Sequence, residues 1–405
     1  MKVLVCNVGS TSLKFKLFSM PDEDLIVEAK VERVGSENAL YEYHNLASGF
    51  AVTKNGKSVP KYSDGINMFL ASLLDPGHGA LQSVGEIGAI GFKTVLAKGY
   101  NGVHELTENV LLAMEEYLFV APAHNGPYIE AIRMFQNLLP DTLLVGVFET
   151  AFHTTIPMER RLYSIPYEWY QKYGIQRLGY HGASHSFVAR AIEKKAGSTG
   201  RLISCHLGGS CSICAILDGR SVDNSFGFSL QTGIPHANRT GDLDPYVVPF
   251  LMNCGLGLEE ILQGMGKQGG MLGLSGVSRD MREIVAAAGQ GNERAAMAID
   301  VFVCSIIRYI GSYYAELGGL DHLVFTGGIG ENSTIIRERI CRGLGHMGVS
   351  LDPGLNASAR GEAQISAPDS KVKIHIIPAN EEIDIVRKTY AVLVASAAPA
   401  DKGRC

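Results

Sequence analysis

Short apolar runs that end in turns of glycine, serine and threonine constrain this chain more than any other feature. Glycine occurs 47 times and clusters in turns after apolar stretches, not in one linker. Val3 to Cys6 is such a run, Asn7-Val8-Gly9-Ser10-Thr11-Ser12 is a polar turn, and Leu13 to Phe18 alternates apolar and polar residues. That pattern predicts a β-hairpin whose tip carries small hydroxyl residues. The design returns near mid-chain: Leu202 to His206 reads as a strand, Leu207-Gly208-Gly209-Ser210 as the turn, and Ser212 to Leu217 as the return strand. Two hairpins of one type suggest two related halves facing each other. A third strand, His322 to Phe325, leads into Thr326-Gly327-Gly328-Ile329-Gly330-Glu331-Asn332. Asn332 or Ser333 can cap a helix over Thr334 to Leu344.

Helical periodicity fills the spaces between. Ile299, Phe302, Val303, Ile306, Ile307 and Ile310 form one apolar stripe that Gly318-Gly319 stops. A last helix starts near Asn380, with Glu381 and Glu382 at its positive dipole end, and runs towards Val394 before a frayed tail after Pro399. Strands alternating with helices predict an α/β chain. At 405 residues, two to three domains are expected, and the cut falls near Ala151, after the strand Leu143 to Phe148.

Composition removes several function classes. Lys plus Arg is 36 against 41 Asp plus Glu, a net charge of −5, without the basic surplus of a nucleic-acid binder. No apolar run approaches membrane-spanning length, so no membrane association is expected. Met1-Lys2 leads straight into a strand and not into a signal peptide, which predicts a cytoplasmic protein. The eight cysteines are scattered, and Cys211 and Cys214 form one CxxC inside a strand pattern, where they read as packed thiols more readily than as metal ligands. Turns of Gly, Ser and Thr offer N–H groups and hydroxyls at close approach, as a polyphosphate requires. The P-loop signature, G-x-S-x-G and H-E-x-x-H are all absent. Histidines sit beside Gly, Ser or Asn in polar loops at His124, His181 and His185, Phe148 to His153 is another loop with a histidine, and Arg239 to Pro245 forms a further polar loop.

Several stretches resemble the acetate kinase family, the short-chain carboxylate kinases of the acetate/sugar kinase–heat-shock–actin superfamily. They are Val3 to Phe15, Tyr180-His181-Gly182-Ala183-Ser184-His185, Arg239-Thr240-Gly241-Asp242-Leu243-Asp244-Pro245, Ser278 to Arg282, Gly328 to Ser333, and Asn380-Glu381-Glu382. The resemblance implies two ribonuclease H-like (actin-like ATPase) domains facing across a cleft. Residues 1–150 plus a C-terminal helix over 383–398 would form one, and 151–382 a nucleotide-binding domain. It implies a homodimer, ATP with Mg²⁺, and transfer of a phosphoryl group to a small carboxylate such as acetate or propionate. By position, Glu149, His181 and Arg239 would be catalytic, and Asn7 and Glu381 would hold the metal. Lys93, Val95, Ala123, Tyr180 and Leu230 would meet the acid. Lys14, His206, Leu207, Gly208, Gly209, Ser210, Asp280, Met281, Arg282, Gly328, Ile329, Gly330, Glu331 and Asn332 would bind nucleotide, with His124 near the phosphate path.

Four departures from the family pattern lie at the reaction centre. Lys93 stands for the family's arginine, which loses the bidentate fork. Glu149 stands for an aspartate, one methylene longer. Gly209 stands for an asparagine in the phosphate turn. Ala123, Leu230 and Tyr180 replace leucine, proline and phenylalanine around the acid. The nucleotide side is kept while the acceptor side changes, which favours a changed acceptor. A nucleotide-binding member with little turnover, or one using another phosphoryl donor such as pyrophosphate, are the alternatives.

Overall fold

The computed structural model describes residues 1–9, 11–120 and 122–397, except for the side chains of Pro122 and Ala123. The expected frayed tail lies outside these residues. The chain divides into two compact units: Met1–Ala151 with the segment from Asn380 onward, and Phe152–Ala379.

The first unit is built on strands β1 (Lys2–Gly9), β2 (Ser12–Ser19), β3 (Asp24–Glu32), β4 (Ser36–Asn45), β5 (Phe50–Val59), β6 (Ile87–Phe92), β7 (Val103–Glu105) and β8 (Leu143–Val147), in the order β5-β4-β3-β2-β1-β6-β8-β7. The second uses β9 (Arg201–Leu207), β10 (Cys211–Leu217), β11 (Arg220–Asn224), β12 (His322–Thr326), β13 (Ala363–Gln364) and β14 (Lys373–Ile376), in the order β11-β10-β9-β12-β14-β13. Both sheets share one plan. An antiparallel meander (β1-β2-β3, or β9-β10-β11) turns its first strand towards two parallel neighbours, β6 and β8 or β12 and β14. β12 and β9 are buried almost end to end, as strands covered on both faces should be.

The first hairpin is tighter than expected. Pairing continues to Gly9 opposite Ser12, so Asn7 and Val8 are strand residues and Asn7 lies opposite Lys14. The segment Gly327–Asn332, expected as a turn, is a short helix. The following helix, Thr334–Gly343, has Ser333 at its N-cap without a side-chain capping bond, and Asn332 instead donates to the carbonyl of Gly328. Gly327 has φ +76°, and a Cβ there would come 2.7 Å from the carbonyl oxygen of Leu207, so glycine permits the close approach of the β9 and β12 ends.

Helix Glu293–Leu317 buries Ile299, Phe302, Val303, Ile306 and Ile310 in the core of the second unit, while Ile307 is half-buried. By length and composition alone it could cross a membrane. Its stripe instead packs with Ile203, Cys205, Ile213 and Phe325 of the sheet. Gly318 in the left-handed region ends it. Cys211 belongs to this cluster and Cys214 to the cluster of Val188, Ile192 and Val324. The two thiols thus serve different cores, and burial pushes each up to about 12.

The last helix, Glu381–Ala397, packs on β1, β6 and β8. Gly91 of β6 makes this approach possible, since a Cβ there would lie 2.2 Å from Thr389 Oγ1 and 3.1 Å from Ile385 Cγ2. We predict that Gly91→Ala lowers stability by about 1–3 kcal/mol in urea unfolding, the range for overpacking. Gly289→Ala, where nothing lies within 4 Å, serves as control. Equal unfolding midpoints for Gly91→Ala and the wild type would contradict the close packing.

Candidate functional site

The turns after β9 and β12 lie side by side because the two strands are parallel neighbours with Thr326 opposite His206. Between them and the start of helix Met281–Gly289 opens a cavity of about 910 Å³. Gly208, Gly209, Asp280, Met281, Arg282, Gly328, Ile329 and Asn332 line it, so eight of the residues assigned to nucleotide from sequence meet in one place. Asn238, Arg279 and Thr334 also line it and were absent from that assignment, though Arg279 and Asn238 sit inside or beside the motifs that pointed there. Asp280 caps its helix through the N–H of Arg282 and also pairs with the Arg282 guanidinium, which, with the capping N–H, lowers the carboxyl to about 2. No atom lies within 4 Å of a Cβ built on Gly209, so packing does not demand glycine there.

Other residues assigned to nucleotide have different surroundings. The Leu207 side chain is fully buried in the core. Gly330 is buried and its carbonyl accepts from Arg337. Glu331 accepts from the N–H groups of Gly327 and Ala379, which ties the β12 turn to the segment before the last helix. Lys14 is exposed on β2 of the other unit.

Arg239 and His181 belong to the same unit as the cavity. The Arg239 guanidinium donates to Leu230 O at 2.8 Å and to Ser210 Oγ at 2.6 Å, which fixes its fork beside the turn after β9. Burial pulls it down to about 10, still charged at neutral pH. Leu230 therefore contributes its carbonyl to Arg239. His181 is the N-cap of helix Gly182–Ala196 with φ 57°, a left-handed conformation that costs a non-glycine residue about 1–3 kcal/mol and concentrates at functional sites. Its ring lies 4.1 Å from that of His206, whose Nδ1 meets Ser184 Oγ at 2.8 Å. His181 Nδ1 meets Ser212 Oγ at 2.8 Å, the same hydroxyl meets His185 Nε2 at 2.8 Å, and His185 Nδ1 meets Ser204 Oγ at 2.9 Å. Burial, then His153 and His206, hold His185 well below the usual imidazole range. A single hydroxyl proton on Ser212 serves only one imidazole, so at least one of His181 and His185 donates its N–H to Ser212 Oγ. Tyr180 is fully buried and its hydroxyl donates to Phe228 O at 2.7 Å, so it supports this loop and presents no polar wall.

The first unit gathers a second group. Lys93 follows β6, Glu149 follows β8, and Glu381 opens the last helix. The Lys93 ammonium contacts Glu149 Oε1 at 2.8 Å and also pairs with Glu381. Burial pulls on the ammonium, and Glu149 and Glu381 overcome it, so its pKa stands well above the usual lysine value. Beside this group, Tyr128 donates to Asn7 Oδ1 at 3.1 Å while its oxygen accepts from Val8 N–H. Burial pushes the Tyr128 phenol up. Val95 is buried, and the neighbouring Leu96 carbonyl accepts from the buried Asn125, which also bonds Met114 O. His124 is exposed in helix Pro122–Leu138, and the side chain of Ala123 lies outside the described residues.

Among the described residues no group of three or more His, Cys, Asp or Glu could hold a metal ion. Mg²⁺ commonly takes only one or two carboxylates and completes its shell with phosphate oxygens and water. An amide oxygen at Asn7 and a carboxylate at Glu381 suit that incomplete set.

His236 was missed from sequence because nothing in its loop distinguished it. It is fully buried, stacked on Phe226, and its Nδ1 accepts from the N–H of Cys211 at 3.0 Å at the end of the turn after β9. Nε2 donates to Thr232 O at 3.2 Å, so the neutral ring is satisfied and a proton on Nδ1 would oppose an N–H. Burial, then Arg239, lowers it from 6.5 to about 3. Its folded value lies below its unfolded one, so the unfolded chain binds more protons between them. Stability is complete above pH ~6.5 and declines as pH falls towards the folded value, by at most about 1.4 kcal/mol per pH unit per group. We predict that the urea midpoint falls between pH 7 and 5. In His236→Gln that slope should be shallower, and an unchanged slope would contradict a buried neutral ring.

The Acetokinase family model matches residues 2–387. The chain is 42% identical over 397 residues to the acetate kinase of Geobacillus sp. strain WCH70, covering 95% of this chain and 97% of that one. The crystal structure of Porphyromonas gingivalis acetate kinase superposes with a TM-score of 0.86 at 37% identity, covering 97% and 99% of the two chains. That of a propionate kinase from Francisella tularensis gives 0.87 at 33% identity, covering 96% and 99%. The mixed α/β units built on the two sheets are thus actin-like ATPase domains, and the chain belongs to the acetokinase family.

Proposed function

We propose that the chain transfers the terminal phosphoryl group of ATP to a short-chain carboxylic acid, acetate or propionate or a close relative, and releases an acyl phosphate and ADP. The observation that carries this reading is the cavity at the ends of β9 and β12, in a chain whose family relatives include acetate and propionate kinases.

A carboxylate is already nucleophilic, so alignment and charge neutralisation carry the catalysis. One acid oxygen forms a bond to the γ-phosphorus, and the bond from that phosphorus to the β–γ bridging oxygen breaks. The bases and ribose lie against Asp280 to Arg282 and Gly328 to Asn332, and the phosphates pass His206 to Ser210. Arg239, its fork already held by Ser210 and Leu230, and His181, fixed through Ser212, act on the migrating charge. Asn7 and Glu381 would hold Mg²⁺, which would supply charge neutralisation. Lys93, Val95 and Glu149 belong to the acid side. The enzyme works as a homodimer in the cytoplasm on this reading. A second reading, a nucleotide binder with little turnover, is favoured by one feature: Lys93 is already engaged by two glutamates.

Hydroxylamine trapping of acyl phosphate over a panel of small acids, with ATP and Mg²⁺, should give product with at least one acid. No product with any acid, alongside calorimetric ATP binding, would establish the second reading. His181→Ala and Arg239→Ala should each lower kcat by about 10²-fold or more. ATP affinity should change far less, because these groups act on charge that develops in the transition state. Equal losses in both quantities would contradict those roles.

A further inference from the structure

We propose that Lys93 is the resting counter-cation of Glu149 and Glu381, exchanged on binding, so that occupancy of the divalent-cation site and occupancy of the acid site are thermodynamically coupled. This rests on the reading that Glu381 serves the metal and Lys93 the acid.

The three side chains converge from separate elements, and each is largely shielded, with side-chain exposures of 17% for Lys93, 7% for Glu149 and 15% for Glu381. One ammonium between two carboxylates leaves the cluster with one net negative charge. Two shielded glutamates alone would repel each other, and the lysine offsets that repulsion. The chemistry of lysine suits the post. Its ammonium is a compact point charge with three donors, able to serve two carboxylates that approach from different directions. The additional methylene at Glu149 belongs to the same arrangement, since Glu149 reaches Lys93 at 2.8 Å while its own N–H is held by Thr94 O at 2.9 Å.

Two consequences follow. A substrate carboxylate that approaches Lys93 meets an ammonium already shared by two like-charged groups, so it binds weakly while both glutamates hold the lysine. A divalent cation at Glu381 competes with Lys93 for the same carboxylate. Once that carboxylate is neutralised by the cation, Lys93 is released towards the acid. The coupling is reciprocal: whatever factor the cation adds to acid affinity, the acid adds to cation affinity.

The test reads Mn²⁺ binding to the full chain without nucleotide, from the electron paramagnetic resonance signal of free Mn²⁺ at constant ionic strength. Lys93→Met, which keeps the chain length and removes the charge, should bind Mn²⁺ about tenfold more tightly than wild type, and Glu381→Gln should lose the site. Equal or weaker binding by Lys93→Met, or none, overturns the proposal. Lys93→Met removes the cation between two largely shielded glutamates and can fail to fold, so a second arm uses wild type alone. Saturating propionate should tighten Mn²⁺ binding at least about fivefold, the lower end of ordinary coupling. Unchanged affinity overturns the proposal. Acyl-phosphate trapping is scored separately. Product without coupling sinks the exchange and leaves the activity, and coupling without product sinks the activity and leaves the exchange.

Discussion

The parallel pairing of β9 with β12 governs what the second unit can bind. Parallel neighbours point their C-terminal ends the same way, so the turns that follow them must open on the same edge of the sheet. Everything at the cavity follows from that. Gly327 lets the two ends approach, Glu331 secures the β12 turn, and His236 accepts the N–H that closes the β9 turn. The same relation between β6 and β8 in the first unit brings Lys93 and Glu149 to one edge, where the last helix adds Glu381.

The division of labour between the units is visible in their chemistry. The second offers glycine turns, imidazoles and hydroxyls around a charged arginine. Donors held in fixed geometry by buried partners suit a charge that moves during reaction, because nothing must reorganise when it moves. The first offers a compact group of full charges, Lys93 with Glu149 and Glu381, and an amide oxygen at Asn7. Such a group responds to ions more than to shape.

Much of the fold was legible because its signals are local. Leu202 to His206 and Ser212 to Leu217 are apolar runs flanking a glycine turn, and the Ile299 to Ile310 stripe repeats at helical spacing; neither requires knowledge of a distant partner. Asn7 was misplaced for the same reason. A small polar residue beside glycine reads as turn, yet the hydroxyl of Tyr128, far along the chain, gives its side chain a partner within the strand. Gly327 to Asn332 likewise reads as turn, although backbone bonds close it into a short helix. The residues that line the cavity were assigned together through local motifs. The relations among Ser212, His185 and His181, and the engagement of Lys93 by Glu149 and Glu381, join positions whose proximity only the folded sheet creates.

The bond between Lys93 and Glu381 spans 288 positions of sequence. A ribosome therefore releases β1 to β8 long before it releases the helix that covers them. Throughout that interval the face of β6 shaped by Gly91 to receive Thr389 and Ile385 stays uncovered, while the whole intervening unit is synthesised and free to fold. The order of manufacture thus runs against the order of completion: the unit that starts before the other can be closed only after it.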